Sequence, residues 1–359
     1  YIFFIFSLYS MSISMAAGYS EQTEGAILCI EAAKDWALDC VSSLPRIDKH
    51  VFVDYGAADG GTARKFWNTV LSKTKNLFPT SEFTLIGNDL PSNDNQALVN
   101  SLNYQYEVDK NISTYLCARS FYDQLTPSES VSFGFSATAM HWLSRHLELK
   151  NHTHIQASSD HENFKKFRHQ ALADWELILM QRSNEMIKGG KFLAVNLSRD
   201  SNNNYLGNNG GKTFNVHNQI HEIWHELLEE KIIDSQEYEA GTVQNFYKSP
   251  DEFIFPLINK DSNAYKSGLR LVKERTVYID CPYKKRWLEN KDDALFSSQL
   301  METIRSWSMH SFKSAIKKTN ASDVDPVYIL FQRLKERINK APDKWSLDYV
   351  EHHLVIEKV

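Results

Sequence analysis

Cysteine is scarce in this chain of 359 residues: four, at Cys29, Cys40, Cys117 and Cys281, with no Cys-x-x-Cys pair and no metal-ligand spacing. That pattern excludes a disulfide scaffold and points to free, buried thiols in a reducing compartment, so a cytoplasmic protein is expected. Charge of one sign is also lacking. A net charge of −5, with acids and bases mixed throughout, leaves no electrostatic footprint for nucleic acid or an anionic membrane. The apolar run Tyr1 to Leu8 is far too short to span a bilayer, and it lacks the basic region and small-residue cleavage site of a signal peptide. The sequence starts without methionine, and Met11 and Met15 follow shortly; residues 1–14 are therefore expected to be a leader outside the native fold. Internal repeats are absent. Four Asn-x-Ser/Thr sequons (Asn111, Asn151, Asn196, Asn320) are read as chance, because Asn196 closes a buried strand pattern where no glycan fits.

What the chain does have is aromatic residues and an alternation of strand and helix signals. Eight tryptophans, sixteen tyrosines and twenty phenylalanines fit core packing first, and a pocket for a flat or greasy ligand second. Apolar residues at helical spacing predict a helix over Ala26 to Val41. Strands are predicted over His50 to Asp54, Phe83 to Asn88, Val131 to Phe135 and Lys191 to Leu197. Helices are predicted over Thr62 to Ser72, Ser92 to Leu102 and Phe167 to Lys188, the last stopped by Gly189-Gly190. Such alternation implies an α/β protein with a doubly wound, mostly parallel, Rossmann-like sheet. The Asn- and Gly-rich stretch Ser198 to Lys212 reads as a mobile loop. Beyond it the chain is mostly helical, over Asn215 to Glu230, Asp292 to Lys318 and Asp325 to Asn339, and His353 to Val359 reads as a strand. The expected organisation is a core over residues 15–200, a helical cap over 201–345, and a returning strand over 346–359.

Two strand patterns end in acids. Val51-Phe-Val-Asp54 runs into the glycine-rich turn Tyr-Gly56-Ala-Ala-Asp-Gly60-Gly61, and Phe83-Thr-Leu-Ile86 runs into Gly-Asn-Asp89. Parallel strands place such ends along one sheet edge, where open α/β folds bind ligands. The glycines allow a ligand to approach the backbone and the turn to tighten. Their spacing, Gly-x-x-x-Gly-Gly, is not the nicotinamide fingerprint Gly-x-Gly-x-x-Gly. Two acids there suit a ligand with a cationic head and a ribose diol, such as S-adenosylmethionine. Asp54 is expected near its ammonium and Asp89 on its ribose hydroxyls.

Four segments in order carry a resemblance: Asp54-Tyr-Gly-Ala-Ala-Asp-Gly60, Asn88-Asp-Leu-Pro-Ser-Asn-Asp94, Ser120-Phe-Tyr-Asp-Gln-Leu125 and Met140-His-Trp-Leu-Ser144. Leu227-Leu-Glu-Glu-Lys-Ile-Ile233 and Phe246-Tyr-Lys-Ser-Pro-Asp-Glu252 add to it. From about Tyr19 onward the chain resembles the SABATH carboxyl methyltransferases, the salicylate, benzoate, jasmonate and caffeine-pathway enzymes, in a divergent form that hints at a non-plant branch. The resemblance implies donor binding by Tyr19, Asp54, Gly56, Asp89, Leu90, Ser120 and Phe121. It implies that His141 and Trp142 hydrogen-bond the acceptor carboxylate, with Thr138 on the acceptor wall. Family members are commonly dimers, and some hold Mg²⁺ near the acceptor, for which no ligand set is matched here. Where the family carries a carboxylate-clamping glutamine this chain has Ala26, and an aromatic position is Thr138, so a bulkier or differently held acid is expected.

The expected reaction is methyl transfer from S-adenosylmethionine to a small or medium apolar carboxylic acid. Methylation of a heteroaromatic ring nitrogen in the same fold is the alternative, and a binder that has lost its acceptor site is a third. His221-Glu-Ile-Trp-His225 matches the zinc-protease pattern His-Glu-x-x-His, but Lys231 stands where a further histidine would fall, and His217 extends the face into what reads as a polar cap helix. The histidines His152, His154 and His161 lie in a polar stretch and are expected to be solvated.

Overall fold

The computed structural model describes residues 15–109, 111–317 and 325–359; the expected leader at 1–14, the end of the predicted helix at Lys318 and the sequon at Asn320 lie outside them. Seven strands form one sheet: β1 (Lys49–Tyr55), β2 (Glu82–Asp89), β3 (Ile112–Ala118), β4 (Val131–Ala137), β5 (Met186–Leu197), β6 (Leu269–Ile279) and β7 (Tyr349–Lys358). Their order is β3-β2-β1-β4-β5-β7-β6. The first five run parallel, and β7 and β6 add antiparallel pairs. Three short helices lead in: α1 (Tyr19–Gln22), α2 (Glu24–Ala32) and α3 (Lys34–Ser42). Crossovers carry α4 (Arg64–Leu77), α5 (Asn95–Val108) and α6 (His161–Glu185). Between β5 and β6 lie α7 (Val216–Glu229), α8 (Ser235–Ala240), α9 (Pro250–Ile258) and α10 (Asn263–Lys266). Then α11 (Pro282–Asn290), α12 (Asp293–Ala315) and α13 (Pro326–Lys340) precede β7.

Side chains of β1 alternate between two apolar layers, which is why its centre, Val51-Phe52-Val53, is continuously apolar. Phe52 packs with Phe66, Trp67, Phe83, Phe133 and Phe135 on one face. Val53 and Tyr55 pack with Trp175, Ile178 and Leu179 of α6 on the other. Each such ring removed from water contributes about 1.5–3 kcal/mol. A separate apolar cluster joins α7, α12 and α13 through Trp224, Phe312 and Leu330. Among the described residues, no helix is long and apolar enough to cross a membrane.

The structure departs from the expected elements in definite ways. The predicted helix Ala26 to Val41 is broken at Ala33, where the Arg275 guanidinium donates to the Ala32 carbonyl (2.6 Å) and takes it out of the helical ladder. Gly189 and Gly190 sit inside β5 rather than ending α6. A Cβ on Gly190 would lie 2.9 Å from the Ile187 carbonyl oxygen, and the β4–β5 register shifts at this point. The segment expected to form a mostly helical cap also supplies β6, which was not predicted. The Asn/Gly-rich stretch is not a loose loop: Asp200 accepts from Asn202 N, Asn204 N and Asn204 Nδ2 at 2.8–2.9 Å, and Tyr205 and Leu206 are buried.

At the C-terminal end of α6, Arg182 and Glu185 are both fully buried and joined by two bonds of 2.8 and 2.9 Å. Arg182 also donates to the carbonyls of Phe121 and Asp123. Glu185 accepts from Tyr55 Oη (2.7 Å) and Leu125 N (2.5 Å). Removing one partner strands the other charge in the core. Arg182→Met is therefore expected to cost about 3–5 kcal/mol in urea denaturation, and Arg182→Met combined with Glu185→Leu less than the single variant.

Candidate active site

The sheet edge formed by the ends of β1, β2, β3 and β4 opens into one cavity of about 1000 Å³, at the upper end of the roughly 300–1,000 Å³ typical of ligand sites. Its wall brings together Tyr19, Asp54, Gly56, Asp89, Leu90, Ser120, Phe121, Thr138 and Trp142. His141, its immediate neighbour Trp142 notwithstanding, is not among the lining residues.

The glycine-rich turn is shaped by its neighbours. Gly56 has φ +75°, and a Cβ there would lie 2.5 Å from Ala139 Cβ, so the loops after β1 and β4 touch. Ala58 is also left-handed (φ +51°). It is gripped from both sides by the second motif: Asp89 Oδ2 accepts from Ala58 N (2.7 Å) and Asn93 Nδ2 donates to Ala58 O (2.6 Å). Asp94 of the same motif caps α5 by accepting from Ala97 N (3.1 Å). Asp59 reaches the other way and accepts from Ser20 N and Ser20 Oγ, at 2.9 and 2.8 Å, which pins α1 and with it Tyr19 over the cavity. Thr138, a β-branched residue at φ +50°, ends β4 in a conformation that costs of order 1–3 kcal/mol.

The two acids are perturbed by burial. Asp54 is raised to about 7, first by desolvation and then by the nearby Asp89, against the bond its Oδ2 accepts from Trp67 Nε1 (2.7 Å). Asp89 is raised by desolvation, partly offset by the N–H groups of Leu90 and Ala58. A buried acid poised near neutrality favours a cationic ligand, whose charge would restore the ionised form.

On the β4 side of the cavity, Trp142 is held by its backbone. Its carbonyl accepts from Tyr122 Oη (2.5 Å), and it forms an isolated bridge with Asn245. His141 is buried beside Trp142 and Tyr247, at 5.1 and 5.7 Å between ring centroids. Burial first, and then the ammonium of Lys248, push it down to about 3, so it is neutral. Lys248 is itself buried, lowered to about 8 by desolvation, and donates to the Met140 carbonyl (3.3 Å). Ala26 is buried away from the cavity, which Ile30 lines one turn further on. Sequence reasoning missed Asp59, Asn93, Lys248 and Gln244. Asp59, Asn93 and Lys248 lay inside the motifs, whereas nothing in the sequence signalled Gln244.

Sheet order and flanking helices are those of a methyltransferase-type fold. A loganic acid methyltransferase solved with SAH superposes at a TM-score of 0.74, with 17% identity over 97% of this chain and 98% of the other. Residues 50–358 match the model of the SAM dependent carboxyl methyltransferases, and the chain belongs to that family. Relatives include gibberellic acid methyltransferase 2 of Arabidopsis thaliana, 24% identical over 65% of this chain and 66% of that protein. Another is the benzoic acid/salicylic acid carboxyl methyltransferase 3 of Petunia hybrida, 27% identical over 53% and 56%. The chain thus spans less than two thirds of the length of each.

The histidines of the polar segments are not solvated as expected. His154 is fully buried and stacks on His217 of α7, with centroids 3.7 Å apart; His152 stacks on His221 at 4.1 Å. Of the three, His161 is exposed. His217 Nε2–H donates to the Leu206 carbonyl (3.1 Å), while the Nδ1 atoms of His154 and His217 lack partners. Neutral imidazoles pack like small aromatics, so a face that looks polar in sequence is half core. Among the described residues no group of three His, Cys, Asp or Glu is arranged to hold a metal, and His225 is exposed beside Glu229. Burial lowers His141 and His217 to about 3 and His152 to about 4. Groups depressed from about 6.5 add stability that is present above pH 6.5 and lost as pH falls toward 3, by up to about 1.4 kcal/mol per pH unit each. The raised Asp54 acts in the opposite sense. Urea midpoints are expected to fall steeply between pH 6.5 and 4, and His217→Gln to flatten that slope.

Proposed function

We propose that this protein transfers the methyl group of S-adenosylmethionine to the carboxylate of a small or medium acid with an apolar body, giving the methyl ester. The observation that carries the reading is the cavity whose wall holds a buried acid, Asp54, on β1, a half-buried one, Asp89, on β2 and an indole beyond β4. The bound donor supplies an electrophilic methyl on a sulfonium. Asp54 would face its ammonium and Asp89 its ribose hydroxyls, while Gly56 lets it lie against the backbone. Tyr19 and Leu90 would close around the rest, together with Ser120 and Phe121 on a loop fastened by Arg182.

A carboxylate is already ionised at neutral pH, so this chain needs no general base. Its work is alignment and exclusion of water. The Trp142 indole N–H is a neutral donor suited to orienting an anion without quenching it. His141, behind Trp142 and neutral, acts by positioning it, and Thr138 shapes the acceptor wall.

Calorimetric titration with S-adenosylhomocysteine, followed by transfer of labelled methyl to a panel of acids, tests the reading. Base-labile label supports an ester; label stable to base points to a ring nitrogen instead, and an absence of binding removes the donor site. Asp89→Ala is expected to abolish binding. Because Asp54 titrates near 7 and a cationic ligand favours its ionised form, affinity is expected to tighten as pH rises through 7, by up to about tenfold per unit below it, and Asp54→Asn to lose that dependence. Trp142→Phe is expected to lower kcat/KM by about tenfold to a hundredfold, the ~1.5–3 kcal/mol of a hydrogen bond to a charged group.

A further inference from the structure

The loop after Trp142 is fastened more tightly than an ordinary surface turn. Leu143 N donates to the Gln244 carbonyl (2.9 Å). Ser144 N and Oγ donate to the two carboxylate oxygens of buried Asp174 at 2.9 and 2.6 Å. The peptide groups of Leu147 are taken at both ends by the Gln244 side chain, which accepts at Oε1 (2.8 Å) and donates from Nε2 (3.0 Å). Between these fixed points stand Arg145 and His146, exposed at the cavity wall. Facing the same cavity from α12 are His310 and Lys313, three residues apart on one helix face.

Among the described residues, no carboxylate forms an ion pair with Arg145 or Lys313; burial lowers the proton affinity of His146, and nearby Glu148 offsets only part of that. The acids of the cavity wall, Asp54 and Asp89, end β1 and β2, whereas Arg145 follows β4 on the far side of β1. A cation beside the reacting carboxylate would hold its lone pairs and repel a sulfonium. Cations at the outer wall instead suit a second anion carried by the same acceptor.

Resting on the carboxyl methyltransferase reading, we infer that the acceptor is a dicarboxylic acid, held at its distal carboxylate by Arg145 and Lys313 and released as the monomethyl ester. A lone pair of the inner carboxylate oxygen forms the new O–C bond as the C–S bond breaks, its electron pair staying on sulfur. The outer carboxylate is unchanged, and no proton, oxidant or reductant enters.

The test compares octanoic acid with octanedioic acid, equal in chain length, as acceptors for labelled methyl. The diacid is expected to have the lower KM. Arg145→Ala and Lys313→Ala should each raise its KM about threefold to fivefold, drawing the KM ratio of the two acids toward one. Preference for octanoic acid would overturn the inference and leave the methyltransferase reading standing. So would variants or added salt that raise both KM values in equal proportion, since that marks the cations as steering groups alone. S-adenosylhomocysteine binding with no label transferred to either acid, or to any of a wider panel, would bring down the carboxyl reading and this inference together.

Discussion

The buried pair of Arg182 and Glu185 is the contact on which the cavity depends. Two opposite charges removed from water are costly, and they persist only where every donor and acceptor is met. Here they are met by groups that matter elsewhere: the Phe121 and Asp123 carbonyls, the Leu125 N–H and the Tyr55 hydroxyl. The pair thereby ties the end of α6 to the last residue of β1 and to the loop bearing Phe121. A hydrophobic pair could fill the same volume, but it could not fix the direction of that loop.

A similar economy runs through the rest of the wall. Each loop is positioned by a residue from another loop: Ala58 by Asp89 and Asn93, Ser20 by Asp59, Trp142 by Tyr122, Leu147 by Gln244. The strained backbone at Ala58 is held in place by these cross-ties, and that at Thr138 by the bond its N–H donates to the Val195 carbonyl (2.8 Å), rather than by local preference. The loops around the cavity are therefore coupled through hydrogen bonds, while the two sides of the sheet are coupled through packing.

Much of this was legible in sequence where the signal was local. The buried strands β1, β2, β4 and β5 announce themselves as apolar runs, and the acids at the ends of β1 and β2 were found because the runs end on them. Edge strands were not legible: β3 alternates exposed and half-buried residues, and β6 is crowded with Arg270, Lys273, Glu274 and Arg275, since a strand with one free edge needs few apolar side chains. His154 and His217 were misread because burial of a neutral imidazole leaves no mark in composition. Gln244 was invisible because its role is a pair of hydrogen bonds to the backbone N–H and C=O of one residue, Leu147, about a hundred positions away. The recurring motifs, by contrast, picked out Asp54, Gly56, Asp89, Leu90, Ser120 and Phe121, which the fold brings to one cavity wall although they come from separate strand ends.

The position of β7 has a consequence for how such a chain comes to be made. It is the seventh strand in sequence yet lies between β5 and β6, pairing with both, and among the described residues β6 has no other neighbour in the sheet. During vectorial synthesis β1 to β5 can assemble as they emerge. The ribosome must deliver β6 long before the strand that will receive it. Until Tyr349–Lys358 is free, β6 waits with both edges bare and β5 with one. The nascent protein therefore spends the interval in which α11, α12 and α13 are made with open strand edges, the state in which a chaperone would find it.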